Sequence, residues 1–326
     1  MSENISLERA AELIEAARVV AVITHENPDG DATGSVVGMM HCLRALGKQA
    51  TAFFAAPPAA MYRPFADIEI VTSASQKQLE AADLVLQLDT ATPARIAVPA
   101  GLTVDDRLPL LVIDHHTDNK LFGCWNCVRG SAACCEILYD LAKLAGWNIP
   151  ANAATAFLLG IMADTGGFRF SNTTTSALAA GAELLQRSGR YFDIIDSLFF
   201  NQSLERKRFE AELLNSHLEL FFDGRLAIVK IPSGLSEKYN LNPAHCEGLI
   251  DAFRSISGVE TVAMLYKRAP EQVKVSMRAR NPERPVGPIA RKLGGGGHEM
   301  AAGGLIATAD LDALATRIIE LYKETL

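Results

Sequence analysis

Histidine and carboxylate recur along the chain in four short groups, each closing an apolar run. They are His25-Glu26-Asn27-Pro28-Asp29-Gly30-Asp31, the single acid of Leu86-Gln87-Leu88-Asp89, Asp114-His115-His116, and Met162-Ala163-Asp164. Imidazole nitrogen and carboxylate oxygen, without thiolate, are donors that hard-to-borderline divalent ions such as Mn²⁺ or Mg²⁺ accept. In the first group Pro28 and Gly30 bend the chain so that His25, Asp29 and Asp31 can converge, and the two acids flanking the glycine can each face a different ion. Asp89 can then bridge the two ions, with His115 and Asp164 completing the second position. Taken singly, an acid after a strand is an ordinary cap or turn residue. The ordered combination points to two-metal hydrolysis.

Positioning such residues requires a scaffold that brings distant points of the chain together. Val19 to Ile23, Leu84 to Leu88 and Leu110 to Ile113 are continuous apolar, β-rich runs, and Ala32 to Leu46 reads as a helix stopped by Gly47. Continuous apolar strands alternating with helices predict a parallel sheet with helices on both faces. In open parallel sheets ligands bind beyond the carboxyl ends of the strands, where three of the four groups fall. At 326 residues two domains are expected. The boundaries read here are a catalytic metal-binding domain over 1–188, a connecting helical linker over 189–216 and a smaller α/β substrate-binding domain over 217–326. The second domain has expected strands at Leu226–Ile231, Thr261–Tyr266 and Val273–Arg278, and expected helices at Asn242–Ser255, Pro285–Leu293 and Leu311–Lys323.

Composition narrows the function classes. The net charge of −7 argues against a general binder of long duplex nucleic acid. Lys267 to Lys292 nevertheless concentrates Lys267, Arg268, Lys274, Arg278, Arg280, Arg284, Arg291 and Lys292 against Glu271 and Glu283, which suits phosphate or, more blandly, a solvated face. The six cysteines are too unevenly placed for a disulfide framework. Cys124-Trp125-Asn126-Cys127 has zinc-knuckle spacing, but Cys134-Cys135 lie on an expected helix, Ala132 to Leu144, and reduced packing thiols are the preferred reading. Met1 to Ala17 carries glutamates where a signal peptide would be basic, and no apolar run would cross a bilayer. A cytoplasmic protein without a membrane partner is expected.

The order and wording of these motifs resemble the DHH phosphoesterase superfamily, specifically DHH/DHHA1 proteins of the nanoRNase/pAp-phosphatase type, over nearly the whole chain. His25 to Ala32 resembles the family's first motif, continuing through Gly34-Ser35. Asp89 matches the second, Asp114-His115-His116 the naming triplet, and Asp164-Thr165-Gly166 the fourth. The run Gly294-Gly295-Gly296-Gly297-His298-Glu299-Met300-Ala301-Ala302-Gly303 resembles the DHHA1 glycine motif. The resemblance implies one ion held by His25, Asp29 and Asp89, and a second by Asp31, Asp89, His115 and Asp164. It also implies that His116 faces the substrate phosphate while Asp114 supports the neighbouring histidines.

For the second domain, glycines at 295–297 let backbone N–H groups approach an anion, with His298 beside them. A P-loop is excluded, since no Gly-Lys-Ser/Thr follows. Arg278 is the candidate for a bidentate phosphate contact, and Arg169, just past Asp164, is a further candidate. The expected reaction is in-line attack of metal-activated water on a phosphoester in a cleft between the domains, aided by His116. The substrates implied by the resemblance are short oligoribonucleotides, released as mononucleotides, and 3′-phosphoadenosine 5′-phosphate (pAp), released as AMP. A homodimer is left open. The alternatives are a cyclic-dinucleotide or linear pApA phosphodiesterase, an inorganic pyrophosphatase, against which the glycine-histidine motif speaks, and a catalytically silent nucleotide-binding regulator.

Overall fold

A computed structural model of the chain describes residues 3–241 and 248–326. They divide into two compact units, Met1–Asn201 and Gln202–Leu326. The first runs β1 (Glu3–Asn4), α1 (Leu7–Ala16), β2 (Val19–His25), α2 (Gly30–Ala45), β3 (Gln49–Phe53), β4 (Ile70–Val71), α3 (Gln76–Glu80), β5 (Leu84–Leu88), β6 (Ile96–Ala97), β7 (Leu110–Asp114), β8 (Trp125–Val128), α4 (Cys134–Leu144), α5 (Ala151–Asp164), α6 (Thr175–Ser188) and α7 (Tyr191–Ile195). Its sheet has the order β1-β8-β7-β5-β2-β3-β4 with parallel neighbours, and β6 pairs antiparallel with the end of β2.

The expected α/β class with a parallel sheet is the observed one, and its helical cover is unequal. On one face α1, α2, α4 and α5 bury Ile14, Met40, Leu138 and Phe157 against Val22 and Leu86. On the other, the short α3 contributes Leu79, and loop residues such as Leu102 and Phe122 complete the cover over Val85 and Val112. Because both faces are dry, β5 has all five residues buried and reads as an unbroken apolar run. From β2 the sheet grows through β3 and β4 in one direction and through β5, β7 and β8 in the other. The carboxyl ends of β2 and β5 therefore flank the crevice where the strand order reverses.

Glycines set the approach of α2 to α5. A Cβ on Gly30 would lie 2.3 Å from Ala163 Cβ, one on Gly34 2.4 Å from the Ala156 carbonyl oxygen, and one on Gly38 2.3 Å from the Phe157 ring. A Cβ on Gly160 of α5 would meet Cys135 Sγ at 2.2 Å and Asp31 Oδ1 at 2.7 Å. The i, i+4 spacing puts three of these glycines on one helix face.

The second unit comprises α8 (Leu204–Ser216), β9 (Leu218–Phe221), β10 (Leu226–Ile231), α9 (Leu235–Lys238), α10 (Ile250–Arg254), β11 (Thr261–Ala269), β12 (Gln272–Ala279), α11 (Gly287–Lys292), β13 (Gly296–Gly297), β14 (Ala301–Ala307) and α12 (Leu311–Lys323). Its sheet order is β13-β14-β12-β11-β10-β9, with β10 and β11 parallel and the other pairs antiparallel. Two apolar clusters flank it. In one, Ile289 and Ile318 of α11 and α12 pack with Val275; in the other, Phe209 of α8 and Phe253 of α10 pack with Val229. The segment expected to connect the domains thus places Phe209 and Leu213 in the second unit's core. Of the helix expected over Asn242–Ser255, residues 242–247 lie outside the described residues, and a helix is present at Ile250–Arg254. Among the described residues no helix is long and apolar enough to cross a membrane.

Candidate metal centre

Three neighbouring strands deliver the donors. His25 is the last residue of β2, Asp89 follows β5, and Asp114 ends β7 with His115 and His116 just beyond. Asp29 and Asp31 belong to the start of α2, and Asp164 is the last residue of α5. Asp89 takes a left-handed backbone conformation (φ 57°), uncommon for a side-chain-bearing residue, while its amide continues the ladder to the Ile113 carbonyl oxygen at 3.0 Å.

Within the first unit one group of ligand atoms is Asp89, Asp114, His115 and His116, and two more are His25 with Asp29 and Asp89, and Asp31 with His115 and Asp164. Asp89 faces both of the latter. Its Oδ2 lies 3.6 Å from His25 Nε2 and its Oδ1 3.4 Å from His115 Nε2. His115 Nε2 also stands 3.5 Å from Asp164 Oδ2 and 3.9 Å from Asp31 Oδ2, while His25 Nε2 stands 4.0 Å from Asp29 Oδ1.

The ring orientations suit metal ligation. His25 Nδ1 lies 2.7 Å from the Glu26 carbonyl oxygen, which can only accept, so a ring proton sits there and Nε2 is the nitrogen turned toward the acids. Arg95 Nη2, 3.3 Å from the same nitrogen, is a neighbouring charge rather than a donor to it. His115 Nδ1 likewise donates to the Ser131 carbonyl oxygen at 3.3 Å. Fixing one ring nitrogen on a carbonyl while the other faces the ion is the usual arrangement for metal-bound histidine.

Asp31 has a second task. The N-terminus of α4 has no side-chain cap of its own at Ala133, and Asp31 supplies one from α2. Its Oδ2 accepts from the Cys134 amide at 2.6 Å and its Oδ1 from the Cys135 amide at 2.9 Å. Asp29 caps its own helix α2, accepting from the Asp31 and Ala32 amides at 3.1 and 3.0 Å. His116 Nδ1 donates to Asp114 Oδ1 at 2.7 Å, and Asn119 Nδ2 donates to Asp114 Oδ2 at 2.6 Å. Sequence reading missed Asn119, Arg95 and the glycine contacts between α2 and α5.

The electrostatics describe buried or half-buried acids and two histidines crowded together. Burial, then the charge of Asp89, pushes the Asp31 carboxyl up to about 7. Burial, then Asp31, raises Asp164 well above the carboxylate range. Burial opposes charge on His25, but Asp89 and Asp29 outweigh it and lift the ring to about 9. His115 is raised against burial by Asp89 and Asp164. Burial also disfavours the Asp89 anion, yet His115 and His25 hold it well below the usual range. Asp89 Oδ1 is buried and finds no hydrogen-bond donor among the described residues. An orphaned carboxylate oxygen among raised acids and imidazoles that turn Nε2 inward, groups whose protons a cation can replace, fits divalent cations.

Among the described residues no thiol takes part in these groups. Cys134 Sγ donates to the Ile113 carbonyl oxygen, and burial raises the thiols of Cys134 and Cys135. Cys42 and Cys127 are buried, as expected of packing thiols, whereas Cys124 is exposed. The Arg169 guanidinium carbon lies over the Phe199 ring, 4.4 Å from its centroid.

In the second unit Arg278 lies on β12 opposite Ala301 of β14, and Ser276 lies opposite Gly303. The glycine run is used largely for close strand packing. A Cβ on Gly295 would lie 2.4 Å from the Gly303 carbonyl oxygen and one on Gly297 2.8 Å from that of Ala301, whereas one on Gly296 meets nothing within 4 Å. The Gly295 amide donates to the Ala290 carbonyl oxygen at 2.8 Å, and His298 opens the turn between β13 and β14. Part of the basic segment is neutralised: Arg284 pairs with Glu260, Arg291 with Glu299 at 2.8 Å, and Lys292 with Glu324 at 2.6 Å.

Comparison with known proteins follows the two units. Residues 19–161 match the DHH family, N-terminal domain, and residues 223–324 match the DHHA1 domain. The chain is 34% identical to the bifunctional oligoribonuclease and PAP phosphatase NrnA of Thermus thermophilus, over 97% of this chain and 93% of that protein. With the protein of the same name from Bacillus subtilis it shares 30% identity over 92% of this chain and 93% of that one. Among solved structures, an exopolyphosphatase-related protein from Bacteroides fragilis superposes with a TM-score of 0.85 at 21% identity, covering 98% of this chain and 97% of the other.

Proposed function

The chain belongs to the DHH family and carries a DHHA1 domain; from that membership and the site geometry we propose that it is a phosphoesterase dependent on divalent metal. Its substrates are short oligoribonucleotides, hydrolysed to mononucleotides, and pAp, hydrolysed to AMP. The observation that carries this reading is Asp89, which turns one carboxylate oxygen toward each of two histidine-acid groups.

His25, Asp29 and Asp89 would hold one ion, and Asp31, Asp89, His115 and Asp164 the other, with Mn²⁺ as the working metal and Mg²⁺ as the alternative. When bound, the ions supply Lewis-acid neutralisation of phosphate charge and acidify water at neutral pH. The chain's own residues do the rest. The Glu26 and Ser131 carbonyls keep His25 and His115 in the tautomer that presents Nε2. Asp114 accepts the Nδ1 proton of His116, which leaves Nε2 as the atom that meets a phosphate oxygen or the departing oxygen. Arg278, the Gly295–Gly297 backbone and His298 would bind nucleotide phosphate, and Arg169 would add a cation next to Asp164. The protein is expected to act in the cytoplasm on short strands, consistent with its net charge of −7.

The test uses Asp89→Ala in a Mn²⁺-dependent assay of mononucleotide release from a diribonucleotide, alongside pAp, linear pApA and cyclic di-AMP. Removing a carboxylate shared by both groups should abolish turnover of every substrate that the wild type hydrolyses. Wild-type rates in the variant would defeat the shared-carboxylate reading. A wild type active only on cyclic di-AMP would reassign the substrate.

A further inference from the structure

The three donors of one metal group lean on a single short segment, Ser131 to Cys135, whereas His25 and Asp29 of the other are oriented by Glu26 and the start of α2. The Ser131 carbonyl oxygen orients His115. The amides of Cys134 and Cys135 hold both oxygens of Asp31. Asn172 Nδ2 donates to the Ala132 carbonyl oxygen at 3.2 Å and to that of Asp164 at 3.1 Å, tying the last residue of α5 to the same segment. The segment is in turn fastened by Glu136. This buried side chain of α4's first turn accepts through Oε2 from Ser131 Oγ at 2.5 Å and from the Ala132 amide at 3.0 Å.

We infer that Glu136 is a positioning residue that sets the affinity of the metal position formed by Asp31, His115 and Asp164 and leaves the position at His25 and Asp29 alone. The inference rests on the two-metal reading above. Removing the carboxylate strips the acceptor from Ser131 Oγ–H and the Ala132 amide, so the segment relaxes and three donors lose register together. Asp89, held by the backbone of β5 and β7, keeps serving the first group.

The experiment is calorimetric titration of Mn²⁺ into the metal-free full chain for wild type, Glu136→Ala, Glu136→Gln and Asn172→Ala, with thermal unfolding of each metal-free protein alongside. Wild type should take up two equivalents. In Glu136→Ala one equivalent should weaken by about 10- to 100-fold while the other stays within about two-fold. Glu136→Gln keeps an oxygen that can accept both donations, and should restore most of the lost affinity. Asn172→Ala, a change at an exposed side chain, should weaken the same equivalent, and it carries the test if Glu136→Ala does not fold. Two unchanged equivalents in Glu136→Ala and Asn172→Ala overturn the inference while the two-metal reading stands. Equal weakening at both positions, in step with a lowered Tm, also overturns it. A wild type that takes up no Mn²⁺ sinks the two-metal reading and this inference with it.

Discussion

Asp114 is proposed to act on the reaction through its neighbours rather than by facing the substrate. Fully buried, it accepts from His116 Nδ1 through one oxygen and from Asn119 Nδ2 through the other. Asparagine has the same shape but one donor in place of an acceptor, so in Asp114→Asn either His116 or Asn119 faces a second donor. The His116 tautomer is then no longer fixed. We expect kcat on a diribonucleotide to fall by at least about ten-fold, with KM changed much less. A variant with wild-type kcat would show that His116 works without that anchor. At this scale the candidate ligands were legible where their spacing was local. The spacing of His25, Asp29 and Asp31, the pair His115-His116 and the lone Asp89 can all be picked out by type and position. Asn119 and Glu136 cannot, because each acts through a hydrogen bond whose partner is defined only once the loops have packed.

Elements carry those residues into place, and their tolerance is set by the contact between α2 and α5. Asp31 lies in the first turn of one helix and Asp164 ends the other, so the distance between the helices sets the distance between two candidate ligands. A methyl on Gly34 would meet the Ala156 carbonyl oxygen at 2.4 Å, a backbone atom that no rotamer change relieves. We expect Gly34→Ala to destabilise the first unit by about 1–3 kcal/mol in urea unfolding, offset in part by alanine's better helix propensity, and to weaken Mn²⁺ binding as well. Full stability in that variant would mean that the helices sit farther apart. Gly296→Ala, where a Cβ meets nothing, serves as the contrasting case. The same physics explains which elements could be read ahead of the structure. β2, β5 and β7 announce themselves because burial on both faces leaves an unbroken apolar run, and α12 because its ends are marked by Asp310 and a solvent-facing charge pattern. β14, the glycine- and alanine-rich Ala301–Ala307, has weak strand propensity and becomes a strand through its pairing with β12. The glycines at 295–297 read as an anion loop, yet a Cβ on Gly295 or Gly297 would run into the backbone of β14, so two of the three are required by close strand packing.

For the molecule as a whole, a metal centre of this kind couples folding to pH and to cation. Asp31 has an ordinary value of 3.8 and is lifted to about 7, and His25 moves from 6.5 to about 9. Both folded-state values are raised, so each group contributes stability that is complete below its unfolded value and is lost as pH rises through the folded one. For Asp31 that loss runs from about 4 to 7, and for His25 from about 6.5 to 9. Asp89 has the opposite sign, since its lowered value adds stability that disappears only in acid. Between pH 6 and pH 8, roughly, the metal-free protein should therefore weaken as pH rises. Cation binding runs the other way, because the same ligands must shed protons before they coordinate. Both tryptophans, Trp125 and Trp147, lie in the first unit, so their fluorescence during urea unfolding reports on that unit. We expect the midpoint of EDTA-treated protein to fall over this range, and the added stability in millimolar Mn²⁺ to grow with pH. A midpoint indifferent to pH in EDTA would mean that the acids and histidines are not crowded together in the metal-free state, and a Mn²⁺ effect that shrinks with pH would mean that cations do not replace the protons held there.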